Sequence, residues 1–290
     1  MTDIAYIGPG IMGRPMALNL IAGGHNVFVY ARRPEAAEPL VKAGATACDS
    51  PAEAARHAEI IFSCVSDTPD VEEVLLGQDG VIHGAKPGSV VVDMSTISPS
   101  ATRTFATQLA TRDIHMLDAP VSGGEQGAIA GTLSIMVGGD AADLARVRPL
   151  LDLLGKNIVH VGDHGAGQTA KACNQIVVAQ TIVGVAEALQ LAKNAGVDPA
   201  RVREALLGGF AYSRILDVHG QRMLEENFKP GFKAKLHAKD LRIALEEGRA
   251  QGLSMESSAA AAGYIFRVAE ELDGELDHSA VIKLMQDVGD

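Results

Sequence analysis

The run Gly8-Pro9-Gly10-Ile11-Met12-Gly13 stands directly after a short apolar stretch at residues 4–7 and at the opening of a helical pattern. Three glycines at this spacing between a strand and a helix constrain the chain more than any other feature. The first permits a tight turn, the second lets the backbone approach a pyrophosphate, and the third lets helix and strand pack closely, with the phosphates at the positive helix end. An ordinary glycine-rich turn would use the same residues, but the strand-turn-helix context favours a dinucleotide.

Around this motif the first half alternates β-branched runs with helical patterns, the signature of an α/β fold with a mostly parallel sheet covered by helices. Strands are expected at residues 4–7, 27–30, 60–65, 89–93, 115–119, 133–137 and 158–161. Such a sheet binds its ligand beyond the carboxyl ends of its strands. From Gly165 the texture changes, residues 168–195 reading as one long helix with no strand after it. Ile176, Val177, Val178, Ile182, Val183, Val185, Ala186 and Leu189 lie on more than one face, so burial on most sides, between domains or between subunits, is expected. Further helices are expected at residues 198–207, 213–225, 236–251 and 257–271. The domains predicted are a dinucleotide-binding domain, 1–162, and an all-helical domain, 163–290.

Composition removes several function classes. Of 290 residues, 25 are Lys or Arg and 36 Asp or Glu, a net charge of -11 that repels phosphate backbones and anionic lipid; no nucleic-acid or membrane partner is expected. Three cysteines without CxxC spacing suggest neither a disulfide framework nor a thiolate metal site, and nine histidines without HExxH spacing predict no metal. The N-terminus lacks a basic region followed by an apolar run, and the apolar stretches are read as interrupted before membrane-spanning length, so a cytoplasmic chain is expected.

Where an NAD-specific site would place an acid after the second strand, the chain has Ala31 followed by Arg32 and Arg33. Two guanidiniums pair with a 2'-phosphate through charge-assisted bonds, which favours NADP(H), while the absence of a repelling acid leaves NAD(H) usable. Val65-Ser66-Asp67-Thr68 and Ser95-Thr96 emerge at the same edge, suited either to cofactor contacts or to helix capping. Asp118-Ala119-Pro120-Val121-Ser122-Gly123-Gly124 ends a strand in a loop whose glycines expose N–H groups beside a hydroxyl, a candidate nest for a carboxylate. On the long helix Gln168, Lys171, Asn174 and Gln175 share one polar face, and a buried Lys171 is a candidate proton donor to a carbonyl. Cys173 is read as packing. By composition alone Lys239-Asp240 is a solvated pair.

These motifs, in this order and with Gly165-Ala166-Gly167-Gln168-Thr169-Ala170-Lys171 and Lys239-Asp240-Leu241, resemble the β-hydroxyacid dehydrogenase family over essentially the whole chain. The resemblance implies a Rossmann domain and an all-helical domain joined by the long helix, in a homodimer or homotetramer. It also implies Lys171 as the catalytic lysine, Ser122, Gly123 and Gly124 as the substrate-carboxylate loop, and Thr96 and Lys239 as nicotinamide-side contacts. Many members carry an Asn where this chain has Gln175, so Asn174 and Gln175 are both candidates for substrate contact. Pro9 stands where Leu is more usual and has no N–H, so phosphate binding would lean on Ile11 and Met12.

Within the family, Asn174-Gln175 and the stretches 208–217 and 227–232 are more similar to tartronate semialdehyde reductases than to 3-hydroxyisobutyrate dehydrogenases. The residues themselves reach only to reduction of a small carboxylate-bearing aldehyde. Two other readings remain: a family member acting on 3-hydroxyisobutyrate or a short semialdehyde, and a catalytically silent dinucleotide-binding module used for assembly, which would need no lysine in the cleft.

Overall fold

The computed structural model describes residues 1–286, which fall into two compact units, Met1–Lys171 and a second beginning at Ala172. The first is built on nine strands: β1 (Asp3–Ile7), β2 (Asn26–Tyr30), β3 (Thr46–Ala47), β4 (Ile60–Ser63), β5 (Val90–Asp93), β6 (His115–Asp118), β7 (Val121–Ser122), β8 (Leu133–Gly138) and β9 (Gly155–Gly162). Their order is β3-β2-β1-β4-β5-β6-β8-β7, with β9 on β8. Pairing is parallel from β3 through β6, antiparallel where β8 meets β6 and β7, and parallel again between β8 and β9. β7 continues β6 along β8 in one register, Asp118 facing Gly138 and Val121 facing Ile135; Pro120 interrupts the ladder because it has no N–H to give.

The covering helices are α1 (Gly13–Ala22), α2 (Glu38–Lys42), α3 (Pro51–Arg56), α4 (Thr68–Leu76), α5 (Pro99–Ala110), α6 (Gly124–Ala130) and α7 (Ala141–Leu151). Period-two alternation sends Ile4, Tyr6, Val29, Phe62 and Val92 into one apolar layer and Ala5, Ile7, Ile61, Val91 and Met116 into the other. With both faces covered, the inner strands are continuous apolar runs, which is why they stand out in the sequence. β3 does not: its two residues are exposed on an edge. β4 ends at Ser63 rather than at Val65, and β9 starts three residues earlier than expected.

The register lines up one residue from each of four central strands at the carboxyl edge: Ile7 beside Ser63, Ser63 beside Asp93, and Asp93 beside Asp118. β1 sits where the chain order reverses, β2 to one side and β4 to the other, the switch point at which such sheets bind ligands. Every candidate segment of this unit leaves from that edge.

α8 (Ala166–Asn194) runs from the first unit into the second, where it is followed by α9 (Pro199–Leu207), α10 (Arg214–Leu224), α11 (Ala234–Ala250), α12 (Glu256–Arg267) and α13 (Lys283–Gln286). No strand forms among the described residues of this unit. Asp198 and Ser213 cap α9 and α10 through their side-chain oxygens. Ala179, Ile182, Ala186 and Leu189 of α8 join Leu216, Leu241, Ala262 and Ile265 in one core. Two expectations for this helix are corrected. Val177 is 64% exposed in the single chain and Cys173 is exposed there, so these two positions do not pack within this chain. And its 29 residues are, by length and composition, long and apolar enough to cross a membrane; here its apolar positions serve a core and its polar face is buried too.

Candidate active site

The glycine loop has the local geometry its spacing predicts. Gly8 has φ +87°, and a Cβ there would lie 2.5 Å from the Cys64 carbonyl oxygen. A Cβ on Gly13 would lie 2.3 Å from the Gly8 carbonyl oxygen, so the third glycine is what lets α1 close on the turn. A Cβ on Gly10 would meet nothing within 4 Å, which leaves the backbone open for a phosphate. Met12 precedes α1 with no side-chain cap, so the helix start offers N–H groups to an anion. The Gly10 N–H bonds to the Gly8 carbonyl, which is consistent with Ile11 and Met12 as donors. These residues fit a dinucleotide.

Arg32 and Arg33 are both exposed after β2. Arg32 pairs with Asp70 on α4, Nη1 to Oδ1 3.1 Å, its side chain 81% exposed. Sequence reasoning missed Asp70, which reads as an ordinary first-turn acid after the Asp67 cap; only the fold sets it against Arg32.

At the next strand ends, Val65 donates its N–H to Ser95 Oγ at 2.9 Å, and Ser95 Oγ donates to Asp93 Oδ1 at 2.6 Å. Ser63 Oγ also donates to Asp93 Oδ1. Asp93 is fully buried; burial raises its pKa to about 6 against the lowering effect of the Ser95 and Ser63 bonds, and nearby Asp118 pushes the same way as burial. Ser95 therefore ties two loops together rather than capping a helix, while Asp67 does cap α4. Ser66 is exposed and Thr96 half-buried on these loops.

The last strand end carries the lysine. Asp118 is buried, its pKa raised by burial and held back by the N–H groups it accepts, Gly165 to Oδ1 at 2.8 Å and Gln168 to Oδ2 at 2.9 Å. It thus caps the start of α8. One turn on, Lys171 is 7% exposed and its Nζ donates to the Val121 carbonyl oxygen at 2.8 Å. Val121 immediately precedes Ser122, Gly123 and Gly124. Gly123 and Gly124 have φ +139° and +64°, which only glycine adopts readily, and α6 begins there with no side-chain cap. Lys171 and the candidate carboxylate nest are thereby brought together.

In the second unit Asn174 Nδ2 donates to Gln175 Oε1 at 2.8 Å, and Gln175 Nε2 donates to Asp240 Oδ2 at 2.6 Å. Lys239 Nζ lies 3.1 Å from Asp240 Oδ1. Asp240 is only 3% exposed, so the reading of Lys239-Asp240 as a solvated pair is corrected: α11 turns it inward against α8. Sequence spacing also hid a cluster. His278 Nδ1 lies 2.9 Å from His237 Nδ1, and His278 Nε2 lies 3.4 Å from His219 Nε2, beside Asp277. Burial and His237 lower the His278 pKa, while the His219, His278, Ser279 and Phe232 contacts outweigh burial and hold Asp277 well below the carboxylate range. His219, Asp277 and His278 lie close enough to share a cation, but Asp277 already accepts from Gly231, Phe232 and Ser279 and has Arg222 beside it.

A family model described as the NAD binding domain of 6-phosphogluconate dehydrogenase matches residues 3–162, and one described as NAD-binding of NADP-dependent 3-hydroxyisobutyrate dehydrogenase matches residues 165–285. The chain belongs to the β-hydroxyacid dehydrogenase family and is an NAD(P)-dependent oxidoreductase with a Rossmann sheet and a helical second domain. It is 49% identical over 283 residues to the 2-hydroxy-3-oxopropionate reductase of Escherichia coli, covering 98% of this chain and 97% of that one. It is 40% identical to the 3-hydroxyisobutyrate dehydrogenase of Pseudomonas aeruginosa, with 98% of each chain covered. Among solved structures, Mycobacterium tuberculosis 3-hydroxyisobutyrate dehydrogenase with L-serine superposes with a TM-score of 0.91 at 34% identity, covering 99% of both chains.

Proposed function

We propose that this chain reduces tartronate semialdehyde (2-hydroxy-3-oxopropanoate) to D-glycerate in the cytoplasm, preferring NADPH and accepting NADH. The observation that carries the reaction class is the buried Lys171 ammonium held against Val121, at the mouth of the Ser122-Gly123-Gly124 nest and on the same sheet edge as the glycine loop. The substrate rests on the reductase relative at 49% identity.

The cofactor, when bound, supplies the hydride to the aldehyde carbon. The chain's own residues do the rest. The N–H groups of Gly123 and Gly124 and the Ser122 hydroxyl take the substrate carboxylate, which turns the carbonyl oxygen toward Lys171. The Val121 carbonyl keeps the Lys171 ammonium aimed, and its Nζ gives a proton to the carbonyl oxygen as that oxygen becomes a hydroxyl. Lys171 then regains a proton from water. Asn174, Gln175 and Lys239 complete the reading as substrate and nicotinamide-side contacts, ordered by Asp240.

Positioned proton transfer typically contributes about 10²- to 10⁴-fold, so Lys171→Ala should lower kcat at least about 10²-fold while NADPH still binds. Near-normal turnover in that variant would remove Lys171 from the mechanism.

A further inference from the structure

Gln168 lies one turn before Lys171 on α8 and is 1% exposed. Its side-chain amide makes two bonds. Nε2 donates to the Ser95 carbonyl oxygen at 2.8 Å, and Oε1 accepts from the Ile97 N–H at 3.1 Å. Those two groups belong to the peptides on either side of Thr96. The amide therefore grips Thr96 from both flanks, and its backbone N–H is meanwhile fixed to Asp118. Ser95 in turn receives the Val65 N–H, so the grip extends to the neighbouring loop.

We infer that Gln168 is a positioning residue that sets the spacing between the Thr96 turn, which flanks the nicotinamide, and the Lys171 ammonium. The inference rests on the reading of Lys171 as proton donor. Hydride and proton must reach one carbonyl group from two different elements, the first from beside the end of β5 and the second from α8. Along this path the two are joined through one buried amide that offers a donor to one peptide and an acceptor to the other. Only an amide of this length fills both roles without charge. A carboxylate in its place keeps the Ile97 bond but sets its second oxygen against the Ser95 carbonyl, a conflict that protonation removes.

The test compares Gln168→Met, Gln168→Glu and Lys171→Ala by single-turnover NADPH oxidation from pH 5.5 to 8, with NADPH binding by fluorescence and amide exchange of residues 95–98 by mass spectrometry. Misplacement by about 1 Å costs roughly 10²-fold, so Gln168→Met should slow the hydride step at least about tenfold at every pH and speed exchange of that segment. Gln168→Glu should be as slow at pH 8 and, compared with the parent at each pH, recover toward the parent rate at pH 5.5. A parent-like hydride rate or unchanged exchange in Gln168→Met overturns the inference, as does a Gln168→Glu defect that pH does not relieve. If Lys171→Ala is inactive while both Gln168 variants react normally, the lysine reading stands and only the Gln168 assignment fails. If Lys171→Ala reacts normally, both fall.

Discussion

An interior ammonium costs several kcal/mol or so unless it is paired, and Lys171 gives one of its N–H groups to the Val121 carbonyl. Spacing alone put Gln168, Lys171, Asn174 and Gln175 on one face, because i, i+3 and i, i+4 positions are fixed by helical geometry. It could not say that Asp240 would meet Gln175 or that Asp70 would meet Arg32, since partners 65 and 38 residues apart depend on tertiary packing. That second pair bears on cofactor choice. Charge-assisted bonds to a 2'-phosphate are worth about tenfold or more in affinity, so Arg32→Ala should cut the NADPH over NADH preference by roughly that factor. Asp70 competes for the same guanidinium; the pair is exposed and worth about 0 to 1 kcal/mol, so Asp70→Asn should raise the preference by up to about fivefold. Steady-state kcat/KM for both cofactors checks the two, and equal values unchanged by either substitution would show Arg32 to be a solvated bystander.

The elements that matter are the strand ends. Ser63, Asp93 and Asp118 stand side by side at the carboxyl edge: Ser63 donates to Asp93, Asp93 holds Ser95 in the loop after β5, and Asp118 caps α8. The inner strands were legible because burial on both faces makes them unbroken apolar runs, whereas β3 and β7, two residues each, carry no such pattern. The edge also stores a pH dependence. Burial raises the Asp93 pKa from 3.8 to about 6, so between those values the native state binds more protons than the unfolded chain and stability falls as pH rises. The full penalty, about 3 kcal/mol, is present above pH 6 and absent below about pH 4. Asp93→Asn cannot ionise; its stability relative to the parent, from urea midpoints, should therefore climb by that order between pH 4 and pH 6.5. A difference that stays flat across the window would show that Asp93 is not protonated within it.

At the scale of the whole chain, the change from alternating strands and helices to helices alone marks two bodies, and the order of the motifs points to the family. The division between compact units lies at Lys171, whereas the sequence alone puts the break at residue 162, because Asp118 and Gln168 hold the first turns of α8 in the sheet unit. Acidic charge speaks to the kind of ligand and says nothing of its identity. What distinguishes tartronate semialdehyde from related aldehydes is a hydroxyl beside the carboxylate, and such a difference is read by a few side chains rather than by a fold. The most direct measurement is kcat/KM with NADPH for tartronate semialdehyde, methylmalonate semialdehyde and succinate semialdehyde, with glyceraldehyde as the analogue lacking a carboxylate. Tartronate semialdehyde should lead, and glyceraldehyde should trail it by roughly 5- to 150-fold, since an unpaired nest costs about 1 to 3 kcal/mol. A clear lead for methylmalonate or succinate semialdehyde would contradict the substrate assignment, and glyceraldehyde matching the acids would contradict the carboxylate nest itself.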